Sequence, residues 1–316
     1  MVIVLGRMVY YLLKFEKMKN NKLNFIINLH LSIKEMRNGG LMVLHKLAFE
    51  LADKGNNVYI FTESYYPHPN ITTIPSERKN PNWLSNNAEH YNFTLPDFDP
   101  STTISVYAEI QEGNPYKTKY NTRWILYNTN PQIENTWGKD DIYFNISNFE
   151  TSRKSTEGRL RVEDFNFDLL YNENKKRNGF CYILHKNTPN NAEEYLNQIF
   201  NATNLTGWQS KGYDYLREEL NKYEYLLLFD HQTFNAVIAL LCGTKVINLL
   251  PNPPISPEEY KKEHTNRKFG LAQGLLDIAH ANETIHLARP HLESIGEEND
   301  KYVNNFIEFW QEKIRK

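Results

Sequence analysis

Much of the chemistry a chain can advertise is missing from this one. Only two cysteines, Cys181 and Cys242, occur in 316 residues. Neither has a Cys-x-x-Cys or Cys/His neighbourhood, so a zinc motif and a disulfide framework are excluded and two buried free thiols are expected. Net charge is only −2, so no polyanion-binding surface is signalled and nucleic acid is not an expected partner. The Gly-x-Gly-x-x-Gly dinucleotide fingerprint is lacking. No apolar run is long enough to span a bilayer. The opening MVIVLGRMVYYLL is broken by Arg7 and followed by Lys14, Lys17, Lys19 and Lys22, the wrong order of charge for a signal peptide. Residues 1–22 therefore read as an N-terminal extension, either a mistaken upstream start or a surface helix with weak membrane-surface affinity. The expected location is the cytoplasm or the cytoplasmic face of a membrane. Asn-x-Ser/Thr triplets, as at Asn70 and Asn145, are read as chance in an Asn-rich chain.

What is present suits a well-packed α/β protein. Hydrophobic residues make up 40% and charged residues 23%, enough for a full core and against disorder. The length predicts two domains. The most informative stretch is YLLLFDHQTFNAVIALLCGTKVINLLP, from Tyr225 to Pro251. Leu226–Phe229 is a short apolar run of the kind buried in a parallel sheet. Asp230 ends it, Thr233 caps a helix, Gly243 stops the helix, and Lys245–Leu250 is the next strand. Strand end and helix start meet at Asp-His-Gln-Thr. Ligands bind at such a place in open α/β sheets, and helix N–H groups favour phosphate there. An unliganded βαβ turn fits the same residues.

The first half carries a similar unit. Leu23–Leu29 is a strand, Gly39 and Gly40 precede a helix running to Lys54, and Val58–Phe61 is a second strand. Thr62 to Pro100 reads as irregular loop, with His68 and His90 in it. Asp97-Phe98-Asp99 resembles a metal-binding Asp-x-Asp pair but stands between prolines, so it is taken as a turn. Strands follow at Ser105–Ile110, Arg123–Tyr127 and Asp141–Ile146. Ser147 to Asn178 is polar and reads as the linker. Phe180–Leu184 reopens a sheet with His185 and Lys186 at its end, and helices follow at Asn191–Phe200 and Gly212–Lys222. Ser256 and Glu259 form a capping box, Phe269–Gly274 leads into a short helix through His280, and an amphipathic helix spans Asp300–Ile314. The organisation read from these elements is 1–22 extension, 23–160 and 161–298 two Rossmann-like domains, and 299–316 a helix that packs back on the first.

Several of these stretches resemble GT-B glycosyltransferases, in particular a group of bacterial and viral glycosyltransferase-like proteins similar to glycosyltransferase family 4. NGGLMVLHKLAFELADKGNNVYIFT looks like their amino-terminal signature. SVYAEIQEGNPYKTKYNTRWILYN is similar to their Tyr-Pro-Glu-x-x-x-Gly-Asn-Pro and Arg-Trp-x-Leu stretch. FCYILHK, FDHQTFNAVIALLCGTKVI and KFGLAQGLLDIAHANET match their carboxyl half. The resemblance implies two Rossmann-like domains facing across a cleft. It also implies sugar transfer from a UDP- or GDP-linked donor to a glycan, or a lipid- or protein-linked glycan, with neither metal nor further cofactor. On it, Gly39, Gly40, His185, Lys186, Asp230, Thr233 and Asn235 bind the donor. Glu109 and Arg123 are the catalytic candidates; together with Asn114 they read as acceptor-side or structural residues, Glu109 serving as a general base if the reaction inverts and as an ion-pair partner if it retains. Three positions depart from the group. Ala108 stands for Pro, His185 for the Arg expected before Lys186, and Ile238 for a Glu that meets the donor's ribose or sugar hydroxyls. These losses leave open a degenerate domain that binds nucleotide or glycan, or scaffolds a partner enzyme.

Overall fold

The computed structural model describes residues 22–29, 39–62, 70–71, 98–147, 156–163, 165–185, 188–230, 233–250, 258 and 268–315. These form two compact units. One takes the described residues up to 163 together with 298–315, and the other takes 165–297. Each is built on a mainly parallel sheet.

The first unit has seven strands: β1 (Asn24–Leu29), β2 (Asn57–Thr62), β3 (Asn70–Ile71), β4 (Thr103–Ala108), β5 (Tyr120–Ile125), β6 (Ile142–Asn145) and β7 (Gly158–Arg159), in the order β3-β2-β1-β4-β5-β6-β7. All neighbours are parallel except β3, which runs antiparallel to β2. Helix α1 (Gly39–Asp53) joins β1 to β2, and its apolar stripe Leu41, Leu44, Leu47, Ala48 and Leu51 is buried as helical spacing requires. Parallel strands are normally joined through a helix. Between β4 and β5 there is none, and residues 109–119 cross as an irregular loop. A short α2 (Pro131–Glu134), capped by Asn130, stands between β5 and β6.

The second unit has β8 (Phe180–Tyr182), α3 (Ala192–Phe200), β9 (Thr203–Asn204), α4 (Tyr213–Leu220), β10 (Tyr225–Leu228), α5 (Phe234–Leu241), β11 (Lys245–Asn248), β12 (Leu271–Gln273) and α6 (Ile278–Glu297). Its sheet is wholly parallel, in the order β12-β11-β10-β8-β9. Helix α7 (Asn299–Arg315) belongs to the first unit. Val303, Phe306, Ile307 and Trp310 fall on one face and are buried. Phe306 meets Phe144 edge-on with ring centres 4.9 Å apart, and Trp310 Nε1 donates to Thr122 Oγ1 at 3.1 Å.

Three expectations need correcting. Strands β4 and β5 begin and end earlier than the apolar runs predict, at Thr103–Ala108 and Tyr120–Ile125. Gly270 and Gly274, both at positive φ, frame a strand where only a lead-in was expected, and the helix after it runs twenty residues to Glu297 instead of stopping at His280. The polar stretch before Asn178 is not loose linker where it is described. Trp124 Nε1 donates to Leu160 O at 2.9 Å on the first unit's side. On the second unit's side, Arg177 donates to Leu220 O at 2.7 Å, Thr244 Oγ1 at 2.9 Å and Cys242 O at 2.5 Å. The charges there are used for anchoring. Residues 1–21, His68, His90, Asp97 and the Ser256/Glu259 capping box lie outside the described residues.

Both cysteines are fully buried free thiols in the second unit. Burial pushes the Cys242 thiol up to about 12 and raises Cys181 as well. Since the thiolate is the nucleophile, alkylation of the folded chain at about pH 8 should be slower than in denaturant by roughly a thousandfold or more. Mass spectrometry after timed iodoacetamide treatment checks this. Rapid labelling of either residue in the folded protein would contradict their placement.

Candidate functional site

In a parallel sheet every strand's carboxyl end lies on one edge, and ligands sit where the strand order reverses. In the second unit the chain runs from β8 outward to β9, then returns past β8 to β10 and continues to β11 and β12. The reversal therefore falls between β8 and β10. Their carboxyl ends deliver His185 and Asp230, and His185 Nδ1 lies 3.1 Å from Asp230 Oδ2. The carboxylate is 8% exposed and the imidazole 40% exposed. A carboxylate against Nδ1 calls for a proton on that nitrogen and leaves Nε2 on the far side of the ring.

The segment carrying His185 is pinned on both sides. Leu184 N donates to Thr206 Oγ1 at 2.9 Å, His185 N donates to Thr188 Oγ1 at 2.8 Å, and Thr188 N donates to His185 O at 3.0 Å. Across the edge, Thr233 is the N-cap of α5, with an extended backbone and Oγ1 accepting from Asn235 N at 3.3 Å. Asn235 itself packs inward. It is buried, and its Oδ1 accepts from Trp208 Nε1 at 3.1 Å. That contact makes its side chain part of α5's packing. Ile238, one turn further along, is 0% exposed. Lys186 and Gln232 lie outside the described residues.

Two further polar residues continue this edge, and sequence reasoning missed both. Asn248 ends β11 and Gln273 ends β12. Asn248 Nδ2 donates to Gln273 Oε1 at 3.0 Å, while Asn248 Oδ1 accepts from Leu250 N at 3.1 Å. Gln273 Nε2 is buried with no hydrogen-bond partner among the described residues. The available signal was an amide closing each of two apolar runs, VIN and LAQ.

In the first unit the strand order reverses between β1 and β4. Gly39 and Gly40 open α1 after β1 and are partly buried. Asn28, near the end of β1 and also missed, is fully buried. It donates to Gln111 Oε1 at 2.8 Å and accepts from Tyr116 Oη at 2.5 Å. An Asn interrupting the apolar run FIINL was the clue.

The acceptor-side candidates are tied into the scaffold. Glu109 is buried, and its Oε2 accepts from Leu126 N at 2.9 Å. Asn114 accepts from Tyr107 Oη and donates to Thr118 O, both at 2.8 Å. Arg123 is 0% exposed. Its Nε pairs with Asp141 Oδ2 at 2.7 Å, Nη1 donates to Gln111 O at 3.0 Å, Nη2 donates to Gly113 O, and its plane lies over Tyr107 and Trp137. Of the acceptor-side and structural alternatives, this geometry favours the structural one for Arg123: a guanidinium with no exposed surface and every nitrogen engaged holds the β4–β5 loop in place.

Asp99 caps its own turn, accepting from Ser101 N at 2.9 Å and from Ser101 Oγ at 2.7 Å, and the Ser101 hydroxyl holds its carboxyl below the usual range. That is a turn role for Asp99, the described member of the Asp-x-Asp pair. Among the described residues no group of three or more His, Cys, Asp and Glu is placed to hold a metal ion. None of their helices is long and apolar enough to cross a membrane.

No protein-family model and no curated protein matches this chain. The edge formed by His185, Asp230, Thr233, Asn248 and Gln273 is the candidate site.

Proposed function

We propose that the chain is a GT-B glycosyltransferase that moves a sugar from a UDP- or GDP-linked donor to a glycan acceptor. The second unit binds the donor. One observation carries this reading: His185, Asp230 and the Thr233-capped start of α5 converge where the strand order of a parallel sheet reverses. The donor's diphosphate lies at this point, against the helix N–H groups and the His185 side chain, with Lys186 the cation that the resemblance implies. Asn248 and Gln273 lie along the same edge toward the nucleoside, and the buried Gln273 Nε2 supplies a donor for a hydroxyl or base carbonyl. Residue 238 contributes nothing there, because Ile238 is in the core. No metal ion or further cofactor is part of the proposal.

The same burial supports a second reading, a binding module that holds a nucleotide or glycan without transferring sugar. A panel of UDP- and GDP-sugars, offered in EDTA, separates the two. For the transferase, the right donor at about a hundred times its Kd stabilises the protein by about 2.7 kcal/mol. Donor cleavage or transfer follows. Stabilisation without turnover selects the binding module, and no stabilisation by any donor counts against both.

A further inference from the structure

We propose that His185 is the general acid that protonates the departing diphosphate and that Asp230 positions it for this. The inference rests on the glycosyltransferase reading and assigns a role within that site. His185 stands where the resembling group carries an Arg. As a pure counter-charge an imidazole is the weaker choice, since guanidinium is always charged and has more donors. What an imidazole adds is a proton it can release. The geometry around it suits that use. Asp230 is nine-tenths buried at the end of β10 and sits 3.1 Å from Nδ1. The opposite nitrogen lies across the ring from that contact, on an imidazole that is 40% exposed. The backbone on either side is fixed by Thr206 and Thr188, so the ring's base does not wander. Of the two acids in the first turn of the helix that follows, Glu193 is turned to Tyr182 Oη at 3.0 Å and Asn204 Nδ2 at 2.9 Å, and Glu194 accepts from Gln198 Nε2 at 2.9 Å. Asp230 is thus the carboxylate in contact with the imidazole, and Lys186 follows it directly in the chain.

The bond between the sugar's anomeric carbon and the phosphate oxygen breaks, and its electron pair stays on that oxygen. Nε2–H of the His185 imidazolium gives its proton to the diphosphate as charge develops, while Asp230 holds Nδ1–H. The acceptor oxygen bonds to the anomeric carbon and loses its own proton, and His185 is reprotonated from solvent. Acid catalysis of this kind contributes about a hundredfold or more.

The test uses the full chain with the donor that the panel selects, following kcat, KM and nucleoside-diphosphate Kd from about pH 5 to about pH 9, across the imidazole range. Wild-type kcat should fall as pH rises. His185→Gln and His185→Arg should each lower kcat by about a hundredfold or more, lose that alkaline limb and still bind UDP or GDP. His185→Arg is the deciding variant because it keeps the charge and removes the transferable proton. If it matches wild-type kcat, His185 acts as charge alone and the inference falls while the glycosyltransferase reading stands. If wild type binds the nucleoside diphosphate but transfers no sugar, the acid role falls and the binding module is left. If wild type binds no nucleoside diphosphate, the functional reading itself fails.

Discussion

Arg123→Met should destabilise the first unit by about 3–5 kcal/mol, the cost of leaving a buried ion pair with one partner. In a unit of this size that lowers its thermal midpoint by roughly 10 °C. Methionine fills much of the same volume, so the loss is electrostatic before it is steric. Asp141 would lose the guanidinium but keep Asn121 Nδ2 at 3.2 Å and Gly138 N at 3.1 Å. Gln111 O would keep only Trp137 Nε1 at 2.8 Å. Gly113 O would lose Arg123 Nη2, and with it the clamp on a crossover that has no helix of its own. Adding Asp141→Asn should restore about 1–2 kcal/mol, because an amide strands less charge than a carboxylate. Lysine should fail almost as badly as methionine, since one ammonium cannot reach three acceptors set around a planar fork. Urea unfolding followed by tryptophan fluorescence reads all three variants. A catalytic arginine would give the opposite pattern, stability within about 0.5 kcal/mol of wild type and a selective loss of turnover.

Arg123 shows where sequence reasoning stops. A basic residue before an apolar run looks like a charge delivered to a ligand. Its fate depends on Asp141, at the entry to the neighbouring strand β6, and on the loop that folds over it. Neither appears in any local pattern. By contrast β10–α5–β11 was readable because each of its signals acts at short range: an apolar run, a Thr cap, and a stop at Gly243, which takes φ 79°. Strand β12 was missed because three residues between two glycines carry no usable periodicity. Helix α6 was cut short because few of its residues are buried and Pro290 lies inside it. The candidate site divides in the same way. That His185 and Asp230 end strands was legible. That β8 and β10 are neighbours, with β9 displaced outward, is a matter of sheet order, and only that order brings the two side chains together.

Ile238→Glu is the sharpest test of how α5 lies in the second unit. If residue 238 faced the donor, as the resembling group implies, a glutamate would restore a hydroxyl-binding carboxylate, and the protein would fold normally and hold its donor more tightly. The structure gives the opposite expectation. Every residue from Asn235 to Leu241 is buried and Ile238 is 0% exposed, so the helix is apolar all round and has no ligand-facing side at this position. A carboxylate there is cut off from solvent, and the variant should lose about 3–5 kcal/mol of stability near neutral pH. The loss should also depend on pH in a definite direction. Burial raises a carboxyl's folded pKa above its unfolded value, so the folded state holds the proton more tightly. Stability is then greatest below about pH 4 and declines as pH rises, by about 1.4 kcal/mol per unit until the folded group also ionises. Ile238→Leu keeps the volume and should cost under about 1.5 kcal/mol at every pH. Denaturant curves at three pH values for the two variants decide the matter. If Ile238→Glu instead stays within about 1 kcal/mol of wild type, with no pH slope, then position 238 reaches solvent. Asn248 and Gln273 then lose their claim to be the polar contacts nearest the donor's nucleoside.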